Sequence, residues 1–296
     1  MAFHVSLRNR AATRTPSSLA GPRRSIAFAF QGGGSLTAPQ VGMLRALTEA
    51  AVAPDLVIGS SAGALNAVAF ASDPSPAGLD RLESVWLSLR RRHVAPFSVR
   101  TLLAMAGRGD ALVTSSALRR LLAEAAVART LEGTAIAAHV VVTDLASGAA
   151  VVLSDGETVP ALLGSCAFPG LYAPHLMGER LVVDGGVAAD VPVLQAEALG
   201  AGITYVLPAA RWDTPQPPRG ALPLAYHALG QILGAAGRRD VAAARGRVYV
   251  LPAPAGRASS PVDFRDTARL IGEGHRLAAD WLAGQLAESG RAAGAA

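Results

Sequence analysis

The stretch Asp55-Leu56-Val57-Ile58-Gly59-Ser60-Ser61-Ala62-Gly63-Ala64-Leu65-Asn66-Ala67 decides how the chain is read. Leu56-Val57-Ile58 is short and apolar with β-branched residues, the pattern of a buried strand. From Ala62 to Ala71 the chain is rich in alanine and reads as a helix. Between them lies Gly59-x-Ser61-x-Gly63, the strand–turn–helix pattern that exposes a nucleophilic serine above a sheet. A turn this sharp strains its central residue and brings backbone close on both sides. Gly59 and Gly63 have no Cβ to obstruct that approach. Ser61 then stands at a helix N-terminus, where N–H groups and the dipole favour negative charge. Ser60 is one residue off the glycine-framed centre and reads as a turn serine.

Upstream, Ser25–Phe30 is a second short apolar run and a strand candidate. It leads directly into Gln31-Gly32-Gly33-Gly34-Ser35. Pro39 suits a first helical turn, and Val41, Leu44, Leu47 and Ala51 recur at helical spacing, so Pro39–Ala51 reads as an amphipathic helix. A glycine loop between strand and helix presents backbone N–H groups to an anion. A phosphate is disfavoured. No Gly-Lys-Ser/Thr follows, the sixth position of a dinucleotide fingerprint is Thr37, and the second strand ends in the Ser61 turn rather than in an acid. A tetrahedral oxyanion fits better, since an acyl-transfer serine needs donors for the charge that develops in its transition state. A plain tight-turn glycine cluster is the alternative.

Downstream, strands and helices alternate. Helices are expected at Gly78–Arg92, Ala117–Ala128, Val159–Ser165, Pro192–Leu199, Leu222–Arg239 and Asp266–Ser289. Strands are expected at Ala135–Val142, Ala149–Leu153, Leu181–Val183, Ile203–Leu207 and Val248–Leu251. Val94–Asp110 is less regular. Such alternation predicts an α/β fold with a mostly parallel sheet covered on both faces. Ser61 needs a proton acceptor, because serine is a weak nucleophile at neutral pH. The acceptor is either a histidine oriented by a carboxylate or a carboxylate acting directly. Asp184 is the strongest carboxylate candidate. It ends an apolar strand at the sheet edge where ligands bind in open α/β folds, and Gly185 and Gly186 let the chain turn beside another loop. Asp144 reads as a turn acid. Ser165–Pro174 is apolar with two prolines, so it packs over the core or lines a greasy site.

Four segments in this order resemble the patatin-like phospholipase family: Gly32-Gly33-Gly34, Gly59-Ser60-Ser61-Ala62-Gly63, Ser165–Pro174 and Asp184-Gly185-Gly186. They span Ile26 to Pro192. The resemblance implies a three-layer α/β/α fold and hydrolysis of acyl esters in lipids. It implies Ser61 as nucleophile and Asp184 as base, a dyad with neither histidine, metal nor cofactor. It also implies oxyanion donors on the backbone of Gly32–Gly34. The sequence departs from the family at Ser35-Leu36-Thr37-Ala38-Pro39, where a basic residue or glycine is usual. Two other readings compete. An ordinary α/β-hydrolase would use a Ser-Asp-His triad with His227 or His275, but both histidines lie in expected helices where that fold wants a loop. A non-catalytic lipid-binding module would have no need of Ser61 and Asp184.

Composition narrows the class. Of 296 residues, 51% are hydrophobic, which suffices for a sizeable core, and no internal linker divides the chain. One domain over residues 25–289 is expected, with a flexible tail at 290–296. All 27 basic residues are arginine, and the formal net charge is +5. That charge is dispersed, which argues against nucleic-acid binding and permits peripheral contact with an anionic membrane surface. Residues 1–24 carry five arginines and no apolar core, so they read as a disordered basic arm rather than a secretory signal. No stretch sustains the roughly 18 apolar residues that spanning requires. The lone cysteine, Cys166, allows no intrachain disulfide and reads as a buried small hydrophobe. A cytoplasmic location is expected, with peripheral contact at a membrane permitted. No feature of the sequence sets an oligomeric state.

Overall fold

The computed structural model describes residues 25–94, 112–125, 128–212, 220–256 and 262–294. The expected basic arm at 1–24 and nearly all of the irregular 94–110 segment lie outside the described residues.

The sheet is built around β1 (Ile26–Phe30), whose alternation sorts the two faces of the molecule. Phe28 and Phe30 enter one core cluster, Ala27 and Ala29 the other. Successive side chains of a strand point to opposite faces, so bulky residues on one side and alanines on the other give a thick core and a thin one. Parallel pairing joins β3 (Ala137–Asp144), β2 (Leu56–Ser60), β1, β7 (Ile203–Leu207) and β8 (Arg247–Val250). The thick side carries α1 (Pro39–Glu49), α2 (Ala62–Ser72), α3 (Pro76–Ser88), α4 (Ser116–Ala125), α5 (Thr158–Ser165) and α8 (Thr267–Gly294). The thin side carries a helical turn, Gly186–Ala189, then α6 (Val193–Ala198) and α7 (Ala221–Ala243). The expected three-layer α/β/α arrangement with a mostly parallel sheet is the one observed.

Three strands break the parallel pattern. β4 (Ala150–Leu153) and β6 (Arg180–Asp184) run antiparallel to β3, and β5 (His175–Met177) pairs antiparallel with β6. Their register positions the site. Val141 pairs with both Ser60 and Val152, and Val142 pairs with both Asp184 and Val151. A residue has one neighbour on each edge of its strand. Therefore β4 occupies one edge of β3, while β2 and β6 lie end to end along the other with their C-terminal ends meeting.

Element boundaries differ from expectation where capping decides. α3 starts at Pro76, because Ser75 Oγ accepts the Gly78 N–H at 3.2 Å and proline suits the first helical position. It ends at Ser88, short of Arg92. α8 continues to Gly294, so residues 290–294 are helical. Among the described residues, no helix is long and apolar enough to cross a membrane.

Candidate active site

Ser61 sits between β2 and α2 with φ 55° and ψ −132°, one of two non-glycine residues with positive φ among those described. Such a conformation is strained for an L-residue and persists only where the surroundings impose it. They do so closely here. A methyl group on Gly59 would lie 2.6 Å from the Gly63 carbonyl oxygen, and one on Gly63 would lie 2.4 Å from that of Gln31. The Ser61 N–H donates to Ser165 Oγ at 2.9 Å, and Ser165 Oγ donates in turn to the Val141 carbonyl at 2.7 Å. Ser165 closes α5 and is fully buried. The sequence marks Ser165 as the end of a helix and the start of an apolar segment, but a serine that holds another residue's backbone carries no local signature. Ser60 ends β2 and is buried, and its hydroxyl donates to the Ala189 carbonyl at 2.5 Å, a structural bond.

The end-to-end strands bring Asp184 to Ser61. Ser61 Oγ donates to Asp184 Oδ2 at 2.6 Å, and the Gly186 N–H donates to Asp184 Oδ1 at 2.8 Å. The Asp184 backbone is fixed by its N–H to the Ala167 carbonyl, and its own carbonyl accepts from Thr143 Oγ1 at 2.8 Å. Gly185 passes so close to β3 that a methyl group on it would lie 2.1 Å from the Val141 carbonyl oxygen. Asp184 is 2% exposed. Burial raises its pKa from 3.8 to about 7, against the bonds from Ser61 and Gly186 and with the help of the Asp190 charge. Among the described residues, no histidine bonds to Ser61 or Asp184. His275 pairs with Glu49 at 2.7 Å between α8 and α1, whereas His227 lines the cleft from α7.

The glycine loop adjoins the same cleft. Gly33 and Gly34 have φ of 147° and 57°, and together with Gly32 they line the space beside Ser61. The Gly32 N–H donates to the Asp190 carbonyl at 3.1 Å. Gly32 therefore anchors the loop. Gly33 and Gly34 donate no backbone bond among the described residues. A buried network holds the loop from behind. Gln40 Nε2 donates to the carbonyls of Gln31 and Leu207, Asn66 Nδ2 to Gln40 Oε1, and Trp86 Nε1 to Asn66 Oδ1, at 2.7–2.9 Å.

The cleft has a volume of about 850 Å³. Its thick-side wall is apolar and includes Leu65, Trp86, Leu118, Leu122, Phe168 and Tyr172. The Ser165–Pro174 segment thus does both things expected of it: Ala167 and Tyr172 are buried, and Phe168 and Leu171 line the cleft. Cys166 lies beside Asp184, and burial pushes its thiol well up, away from the reactive thiolate. Asp144 accepts from the N–H and hydroxyl of Ser147 at 2.8 Å and is the turn acid expected.

A protein-family model described as patatin-like phospholipase matches residues 28–197. An uncharacterized NTE family protein of Mycobacterium tuberculosis is 28% identical over 175 residues, covering 57% of this chain and 27% of that protein. Patatin-like phospholipase domain-containing protein 7 of Rattus norvegicus is 25% identical over 186 residues, covering 62% of this chain and 13% of that protein. The chain thus matches well under half the length of these relatives. The crystal structure of VipD from Legionella pneumophila aligns with a TM-score of 0.46 at 13% identity, covering 89% of this chain and 67% of that one.

Proposed function

This chain belongs to the patatin-like phospholipase family, and on that premise we propose that it is a serine hydrolase of lipid acyl esters working through Ser61 and Asp184. One observation carries the reading: the direct 2.6 Å hydrogen bond from Ser61 Oγ to a buried carboxylate. Ser61 Oγ attacks the ester carbonyl carbon while its proton passes to Asp184 Oδ2. The carbonyl oxygen takes the negative charge and is held by the N–H groups of Gly33 and Gly34, with the α2 dipole adding to the field. Collapse breaks the bond to the alcohol, which leaves with the proton from Asp184. Water then attacks the acyl–Ser61 ester, gives its proton to Asp184, and expels Ser61, which takes that proton back. The apolar wall beside Ser61 suits an acyl chain.

A carboxylate with an ordinary pKa is ionised but a weak base at neutral pH. Catalytic groups work best when their pKa lies near the working pH, and burial brings Asp184 there. The test is covalent labelling with a fluorophosphonate together with turnover of p-nitrophenyl esters. The wild type should be labelled on Ser61 and turn over. Ser61→Ala should do neither, and Asp184→Asn should lose most turnover while staying folded. His227→Ala and His275→Ala should stay within about tenfold of wild type. A fall of about 10³ or more in either histidine variant would install a triad instead.

A further inference from the structure

The cleft holds a second buried carboxylate. Asp190 follows the helical turn Gly186–Ala189, lines the cleft and is 8% exposed. Its Oδ2 accepts from Gln31 Nε2 at 2.7 Å, and its backbone carbonyl accepts the Gly32 N–H. Gln31 is in turn fixed by the Ala209 N–H, which donates to its Oε1 at 3.0 Å. Asp190 Oδ1 turns toward the catalytic pair. A methyl group on Gly32 would meet it at 2.9 Å, and one on Gly186 would meet it at 3.3 Å and Asp184 Oδ1 at 3.0 Å. Both carboxylates therefore converge on Gly186.

A buried charge is costly, and its partners here are few. An asparagine could accept from Gln31 equally well, so what the carboxylate adds is its charge. We propose that Asp190 is a positioning residue: clamped to the glycine loop through Gln31 and Gly32, it places a negative charge beside Asp184 that makes Asp184 a better acceptor for the Ser61 proton. The inference rests on the reading of Asp184 as the base. Two carboxylates sharing a site raise each other's proton affinity, and both are displaced in that direction. Burial lifts Asp190 to about 6 against the Gln31 bond, and the Asp190 charge adds to the rise of Asp184. The other titratable groups around the cleft are Cys166 and Tyr172 after α5, His227 and Arg238 on α7, Arg211 after β7, and Arg91 after α3. Among the described residues none of these hydrogen-bonds to either carboxylate.

Asp190→Asn removes the charge and keeps the shape. In the full chain, kcat/KM for a soluble p-nitrophenyl ester is followed from about pH 5 to pH 9. The acid-side midpoint should fall by about one pH unit, with the plateau within about tenfold of wild type. A purely structural Asp190 would lower the plateau and leave the midpoint in place, so an unmoved or raised midpoint overturns the proposal. Asp184→Asn, assayed alongside, keeps the two ideas apart: if it retains turnover the base assignment itself fails, and if it is inactive the midpoint judges Asp190 alone. Should Asp190→Asn not fold, the wild type supplies the answer through NMR titration of aspartate side-chain carboxyl carbons. The Asp184 resonance should then move in two steps, one of them at the Asp190 midpoint, and a single step would overturn the coupling.

Discussion

Ser61 is held in its strained conformation by a short chain of atoms, and Ser165 is the middle link. Ser165→Ala leaves the Ser61 N–H without its acceptor. A donor stripped of its partner costs about 1–3 kcal/mol where water cannot replace it, and the serine would drift from the position Asp184 serves. The expected result is a kcat lowered by about tenfold or more, with unchanged circular dichroism. Slower fluorophosphonate labelling of Ser61 would report the same displacement. Asp184 makes a second prediction, on stability. Its pKa of about 7 means that the folded chain holds a proton which the unfolded chain has released. Stability from this group therefore falls as pH rises from the ordinary carboxylate range to about 7. Asp184→Asn should melt higher than wild type at about pH 8, by about 2 °C or more, and the gap should close toward about pH 4. Thermal melts across that range check it; a wild type that gains on the variant as pH rises would contradict the sign. On the proposed mechanism, stability is traded for chemistry at that residue.

At the scale of elements, α1 and α8 approach each other through two glycines. A methyl group on Gly42 would lie 2.0 Å from the Ile271 carbonyl oxygen, and one on Gly274 would lie 2.5 Å from that of Pro39. Helix propensity alone predicts that Gly42→Ala stabilises by about 1 kcal/mol. The packing predicts the opposite, a loss of about 1–3 kcal/mol as the helices are pushed apart. A urea midpoint for Gly42→Ala decides between them. Both helices were legible from their apolar spacing, yet neither glycine was, because the reason for each lies on the other helix. The same division runs through the site. β1, β2 and the Ser61 turn were legible because their signals are contiguous. Asp184 stood out as an acid ending an apolar run before two glycines. That β6 runs antiparallel and meets β2 end to end had no local sign, for register is a relation between distant segments. The short β5 and the turn Gly186–Ala189 were missed for want of length. The bonds made by Asp190, Gln31 and Ser165 had no local sign, because each joins a partner far along the chain.

For the whole molecule, the contrast between its two sides has a substrate consequence. The thick side walls the cleft with Leu65, Trp86, Leu118 and Leu122, so acyl chains should lie there. Turnover of p-nitrophenyl esters should rise with chain length while further methylenes are buried, each worth about 0.8 kcal/mol. Leu118→Trp should shift the optimum to shorter chains and leave the acetate ester within about threefold of wild type. An unchanged chain-length profile would place the acyl group elsewhere. The end-to-end meeting of β2 and β6 also bears on when the protein can act. Ser61 and Asp184 are 123 positions apart in sequence, and they meet only when β6 docks on β3 beyond the end of β2. A pairing of such long sequence separation forms late, after the loop-closure entropy has been overcome. During synthesis Ser61 leaves the ribosome well before Asp184, so on the proposed mechanism a growing chain lacks its proton acceptor until the distant strand arrives.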